Sequence, residues 1–416
     1  MEKWITESAL EGYPEAQDRE IREALHSAVQ QVERNLADFT DSFPGANSVN
    51  GRYRPGENRG WTTGFWTGEI WLAYEAEAEV KKKAALLHAG ERQVVSFLRR
   101  IETRYDVDHH DMGFLYSPSC VAAYKLIGSE TGKRAALLAA EQLLRRFQPV
   151  GGFLQAWGTM GEAGNYRFII DCLLNLPLLY WASEETGETR FREIAERHIR
   201  TAMANVIRED GSAWHTVFMN PESGAFDHGA TCQGYRDGSA WARGQAWGIY
   251  GTAMAYRYTK REEYIRYFQR VTSYFLNHLP KDLIPCWDLS FGEGDIEPLR
   301  EDRFGDTDYD VQVQPRDSSS TLIVICGLLE MSGHLGGTES VHYRSIARKL
   351  LEGVLRHCIT EQREIGSGLV LHGTYSHKSP YNTCTPEGTD EYVIWGDYYY
   401  MEALTRLLRP EWRIYW

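Results

Sequence analysis

The chain has 416 residues, 43% of them hydrophobic, enough to bury a large core in one big domain or two ordinary ones. A formal charge of −13, with no block of basic residues to offset it, argues against nucleic acid, an anionic membrane or a long polyanion as partner. The sequence has neither a secretory leader pattern nor a membrane-length apolar run, and its seven scattered cysteines form no CxxC pair, so a cytoplasmic protein with reduced thiols is expected, a monomer or weak homodimer.

In chain order, one unit recurs six times: a charged, one-sided helix beside a helix that is apolar nearly all round. The charged helices are predicted near 17–40, 81–102, 133–147, 188–207, 261–278 and 340–358. The apolar helices are predicted at 62–79, 114–128, 167–183, 240–258, 317–332 and 391–408. A helix without a polar face has no contact with solvent, so the apolar set forms an inner ring and the amphipathic set an outer one. The pattern predicts an all-α fold, an (α/α)6 toroid, as a single domain over 1–416. An open helical solenoid is the alternative. Strand signals are weak and confined to connections. Segments rich in Gly, Asp, His and Trp follow the outer helices, GGFLQAW (151–157), DGSAWHTV (210–217), PCWDLSF (285–291) and GLVLHGTYS (368–376), and they converge on one mouth. The 13 Trp and 24 Tyr offer faces on which sugar rings stack, although a large helical core also consumes aromatics.

Within these elements, Asp111 in DVDHHDMGFLY opens the second inner helix, where a carboxylate either caps the helix or serves as one of an acid/base pair. His109 and His110 beside it raise the question of a metal, but no further ligand stands at suitable spacing, so neither metal nor cofactor is expected. Asp171, inside RFIIDCLLNLPLLYW, is an ionisable group in an apolar run, costly to bury unless paired or used. Asn175 stands four residues on, placed to hydrogen-bond that carboxyl, and Pro177 tightens or kinks the helix beyond. Arg243 and Trp247 fall on one face of the 240–258 helix, offering a cation and an indole to one ligand. His215 and Gln233 come from connections that reach the same mouth. Each of these residues also has a purely structural reading, and position alone does not decide between them.

The motifs WTTGFWTGE, HDMGFLYSPSC, FIIDCLLNLPLLYWAS, DGSAWARGQAWGIYG and DEYVIWGDYYYMEAL, in that order from about Trp61 to Met401, resemble the unsaturated glucuronyl hydrolases, glycoside hydrolase family 88. The resemblance implies that Asp171 is the general acid/base and Asp111 its essential partner. It also implies a sugar-binding set of Trp61, Phe65, His110, Trp157, His215, Gln233, Arg243 and Trp247, with Arg243 facing the substrate carboxylate. The implied substrate is an unsaturated di- or oligosaccharide whose terminal 4,5-unsaturated uronic acid is removed by hydration of its double bond. Relatives that favour sulfated disaccharides carry Ser-x-x-Ser-x-Lys; YSHKSPYN supplies Ser376 and Ser379 but places Tyr381 where the Lys would be. Pectin-fragment hydrolysis, an inverting glycosidase on saturated sugars and a non-catalytic carbohydrate-binding toroid are the competing readings.

Overall fold

Outer helices bury one stripe and inner helices bury every side, and that difference sorts the chain into two concentric layers. The computed structural model describes residues 10–291, 314–359 and 364–416. Its helices alternate outward and inward: α1 (Asp18–Phe39) is outer, α2 (Thr63–Ala76) inner and α3 (Val80–Glu102) outer. The second inner helix is a composite of α4 (Met112–Tyr116), a π-turn (Ser117–Val121) and α5 (Ala122–Ile127), with α6 (Glu130–Leu144) outside it. Then come α7 (Pro177–Thr186) and α8 (Thr189–Val206), α9 (Ala242–Thr259) and α10 (Glu263–Asn277), α11 (Ser318–His334) and α12 (Gly337–His357), and last the inner α13 (Ile394–Leu408). Helix α13 packs on α2, and α1 covers both, which closes the ring of six inner and six outer positions. The strands among the described residues are short, antiparallel and confined to connections: β1 (Phe43–Pro44) pairs with β2 (Pro55–Gly56), β3 (Phe147–Gln148) with β4 (Phe153–Leu154), and the largest sheet runs β5 (Arg167–Ile169), β6 (Thr216–Met219), β7 (Phe226–Ala230).

Two inner helices depart from the predicted pattern. Pro118 has no N–H to give the ladder, and the second inner helix accommodates it with the π-turn. The run 167–183 is not one helix: β5 leads into a 3-10 turn, Ile170–Leu174, and α7 starts at Pro177. Proline there begins a helix and does not kink one, because the first helical N–H needs no partner. Asp171 therefore sits on a tight turn between strand and helix, at the mouth end of the ring.

At the opposite end Trp416 and Lys125 line a cavity of about 300 Å³ together with Glu184, Arg257, Tyr258, Lys260 and His334. Trp416 is buried, stacks on Tyr399 (centroids 6.1 Å apart, planes 12° apart) and gives its indole N–H to Glu402 Oε2 at 2.8 Å. Lys125 Nζ donates to the carbonyls of Ile414 and Tyr415 at 2.9 and 3.2 Å.

The composite helix meets the Asp171 turn with almost no space. A Cβ on Gly113 would lie 2.3 Å from Asn175 Cα and 2.7 Å from its carbonyl oxygen. Gly113→Ala is expected to force the two backbones apart and cost about 1–3 kcal/mol, measurable by denaturant unfolding.

Candidate active site

One amide ties together the two segments that carry the aspartates. Asn175 Oδ1 accepts the Phe114 N–H at 2.9 Å, which orients its NH2 group toward the Asp171 carbonyl (3.2 Å) and Asp111 Oδ1 (3.5 Å). Asn175 therefore serves Asp111 and the backbone of Asp171, and the expectation that it holds the Asp171 carboxyl is corrected. Asp111 stands at the N-cap of α4 but makes no capping bond. Its oxygens face the two histidines instead: Oδ2 lies 3.1 Å from His109 Nδ1, and Oδ1 lies 3.1 Å from His110 Nε2, an ion-pairing distance without hydrogen-bond alignment.

The pair is electrostatically unequal. Burial opposes ionisation of Asp111, but His110 and His109 outweigh it and hold the carboxyl far below the usual carboxylate range. Asp171 is 6% exposed, and its Oδ1 has no hydrogen-bond partner among the described residues. Burial, with the Asp111 charge adding to it and His110 and Arg243 opposing, pushes its carboxyl up to about 6. One group stays ionised beside another that keeps its proton up to about pH 6, the division of labour that acid/base catalysis needs.

Around the pair lie donors with nothing to donate to. Burial pushes His215 down to about 3, so its ring is neutral; Nδ1 accepts the Cys232 N–H at 3.0 Å, which leaves the proton on an unpartnered Nε2. Trp247 Nε1 and Arg243 Nε are likewise buried without partners. Trp157, partly exposed, meets His110 edge to face at 6.2 Å. Trp61 stacks on Trp395 at 5.0 Å and donates to the Tyr375 hydroxyl at 3.3 Å. Phe65 and Trp247 are fully buried against Phe114 and form the floor beneath these groups.

Arg243 is less available than its position suggested. Nη1 donates to the Thr374 carbonyl (2.6 Å) and Asp317 Oδ2 (3.4 Å), and Nη2 to Gln233 Oε1 (2.9 Å) and the Tyr375 carbonyl (2.8 Å). The guanidinium lies between Trp241 and Trp395, at 4.4 and 4.7 Å, and not against Trp247. Among the described residues only its Nε–H is without a partner, so Arg243 offers a substrate carboxylate a single charged donor. Gln233 is spent as an orienter of Arg243. Ser376 and Ser379 give their hydroxyl protons to the Thr385 and Tyr235 carbonyls, both at 2.6 Å, so in this conformation neither can donate to a sulfate. Sequence reasoning missed Asp317, although a buried Arg in AWARGQAWG demands an anion and Asp317 begins the next inner helix. Among the described residues, no group of three or more His, Cys, Asp or Glu could hold a metal ion.

The family model of Glycosyl Hydrolase Family 88 matches residues 33–293. The unsaturated chondroitin disaccharide hydrolase of Streptococcus pneumoniae is 42% identical, with 95% of this chain and 94% of that protein covered. The crystal structure of the unsaturated glucuronyl hydrolase of Streptococcus agalactiae matches with a TM-score of 0.90 at 39% identity, covering 100% of this chain and 98% of that one. A mutant of that enzyme in complex with dGlcA-GalNAc6S matches with a TM-score of 0.82 at 36% identity and the same coverage.

Proposed function

The chain belongs to glycosyl hydrolase family 88, and from that premise we propose that it releases the 4,5-unsaturated uronic acid from the non-reducing end of lyase-generated glycosaminoglycan-type oligosaccharides, with Asp171 as acid/base. It is a glycoside hydrolase, an unsaturated glucuronyl hydrolase, that hydrates the C4=C5 bond. The substrates named for the streptococcal relatives support a hexosamine next to the uronic acid, while another matched structure carries dGlcA-Glc-Rha-Glc, with glucose in that place. The seven free cysteines support action in a reducing compartment, the cytoplasm, on saccharides already cut small.

The observation that carries the assignment is the inequality of the two aspartates. A C4=C5 bond joined to the ring oxygen is an enol ether, and protonated Asp171 delivers its proton to C4 while positive charge develops over C5 and that oxygen. Ionised Asp111 is the anion nearby that favours this charge. Water adds at C5 and returns a proton to Asp171, and the resulting hemiketal opens to a keto uronic acid and the free aglycone. His215 Nε2, Trp247 Nε1 and Arg243 Nε are the donors poised for the uronyl ring. Incubation with unsaturated chondroitin, hyaluronan, heparin and rhamnogalacturonan disaccharides, followed by loss of the conjugated absorbance, tests the reading. Turnover of the rhamnogalacturonan substrate alone would replace it.

The same inequality fixes a pH profile. Asp171 must enter the reaction protonated, so kcat/KM is expected to be level on the acid side of about 6 and to fall about ten-fold per pH unit above it. Asp111, already ionised far below that point, adds no second limb near neutrality. A rate that rises through pH 6 to 7 would instead make Asp171 a base in the first step.

A further inference from the structure

Beyond Trp157 the mouth carries a feature the reaction does not use. Arg167, on β5, places its guanidinium 4.7 Å from the Trp157 ring and 5.3 Å from the Phe218 ring. Phe218 is its cross-strand partner on β6 and in turn stacks on His228 of β7, with centroids 4.5 Å apart and planes 9° apart. The Ala156 N–H donates to the Arg167 carbonyl at 3.0 Å, which ties Trp157 to the sheet. Ring, cation, ring and imidazole thus form one continuous, partly exposed surface leading outward from His110.

The Arg167 guanidinium meets aromatic faces, and its Nε is buried without a partner among the described residues. The acid at the outer edge, Asp227, pairs with His228 at 2.7 Å. A cation held flat between two aromatic faces has its planar edge free, the edge that receives a tetrahedral oxyanion. The position is a step out from the reacting centre: His110 lies 3.1 Å from Asp111, Trp157 meets His110 edge to face at 6.2 Å, and Arg167 lies against Trp157. A group on the uronic acid therefore meets Arg243 first, and Arg167 faces the sugar beyond.

We propose that Trp157, Phe218 and His228 form the shelf on which the aglycone sugar lies, and that Arg167, over the Trp157 and Phe218 rings, takes no part in holding the bare sugar but selects a sulfate ester on it. The proposal rests on the function proposed above. It supplies a cation for sulfate where Tyr381 replaces the family's lysine and the Ser376 and Ser379 hydroxyl protons are spent.

Steady-state kinetics on 6-sulfated and unsulfated unsaturated chondroitin disaccharides test it in wild type, Arg167→Gln and Arg167→Lys. Arg167→Gln is expected to lower kcat/KM for the sulfated substrate about ten-fold through KM and to leave the unsulfated one within two-fold, while Arg167→Lys retains most of the wild-type preference. Equal losses on both substrates, or an unchanged ratio, would overturn the selection of sulfate by Arg167 while the function stands. Wild-type inactivity on both would overturn the function, and the shelf with it.

Discussion

Replacing Asp171 with asparagine is expected to cut kcat roughly a thousand-fold or more while substrate still binds, because the amide keeps the shape and loses the transferable proton. The side chain is buried with Oδ1 unpartnered, so little of the fold depends on its charge. A second consequence separates this residue from a structural aspartate. The carboxyl is raised from 3.8 to about 6 in the folded protein, so folding takes up a proton between those values and stability falls as pH rises through them. At pH 8 the ionised group costs up to about 3 kcal/mol, a cost that asparagine does not carry. Asp171→Asn should therefore unfold at higher denaturant concentration than wild type at pH 8, and the gain should shrink toward pH 4. An inactive variant that is also less stable at pH 8 would mark Asp171 as a structural residue whose loss distorts the site.

The rings were legible because their signal is local. KKKAALLHAGERQVVSFLRR carries its one-sided stripe in the sequence, and α3 buries Leu86, Ala89, Val94, Phe97 and Ile101 along it. The helix expected through Asp171 failed because Ile169 and Ile170 suit a strand as well as a buried helix, and pairing with β6, more than 40 residues away, decides between them. Pro177 held the usable clue, since proline favours a helix start. The aspartates were legible as costly polar groups in apolar surroundings. The source of their inequality stands next to Asp111 in the sequence as His109 and His110, but which way those rings face and where Asn175 reaches are set by the fold. Arg243 shows the same limit: its commitment depends on Thr374, Tyr375 and Asp317, which no spacing around residue 243 reveals.

The proton on Asp171 also decides which carbon water attacks. If the acid protonates C4, water adds at C5, and a reaction run in oxygen-18 water places the label at C5 of the keto uronic acid. Displacement at the anomeric carbon would place it at C1 instead, with Asp171 protonating the glycosidic oxygen. The aglycone hydroxyl stays unlabelled on either route, so the position within the uronic product is what discriminates. A keto oxygen exchanges with solvent, which requires early sampling or trapping by reduction. In deuterated water one deuterium should arrive at C4 from a single face, because Asp171 is fixed on one side of the ring by its turn between β5 and α7. Saturated glucuronides of the same aglycone have no enol ether to protonate and should show no turnover. Glucuronic acid released from them at a comparable rate would mean that Asp111 and Asp171 act as a conventional glycosidase pair, and hydration would have to be abandoned.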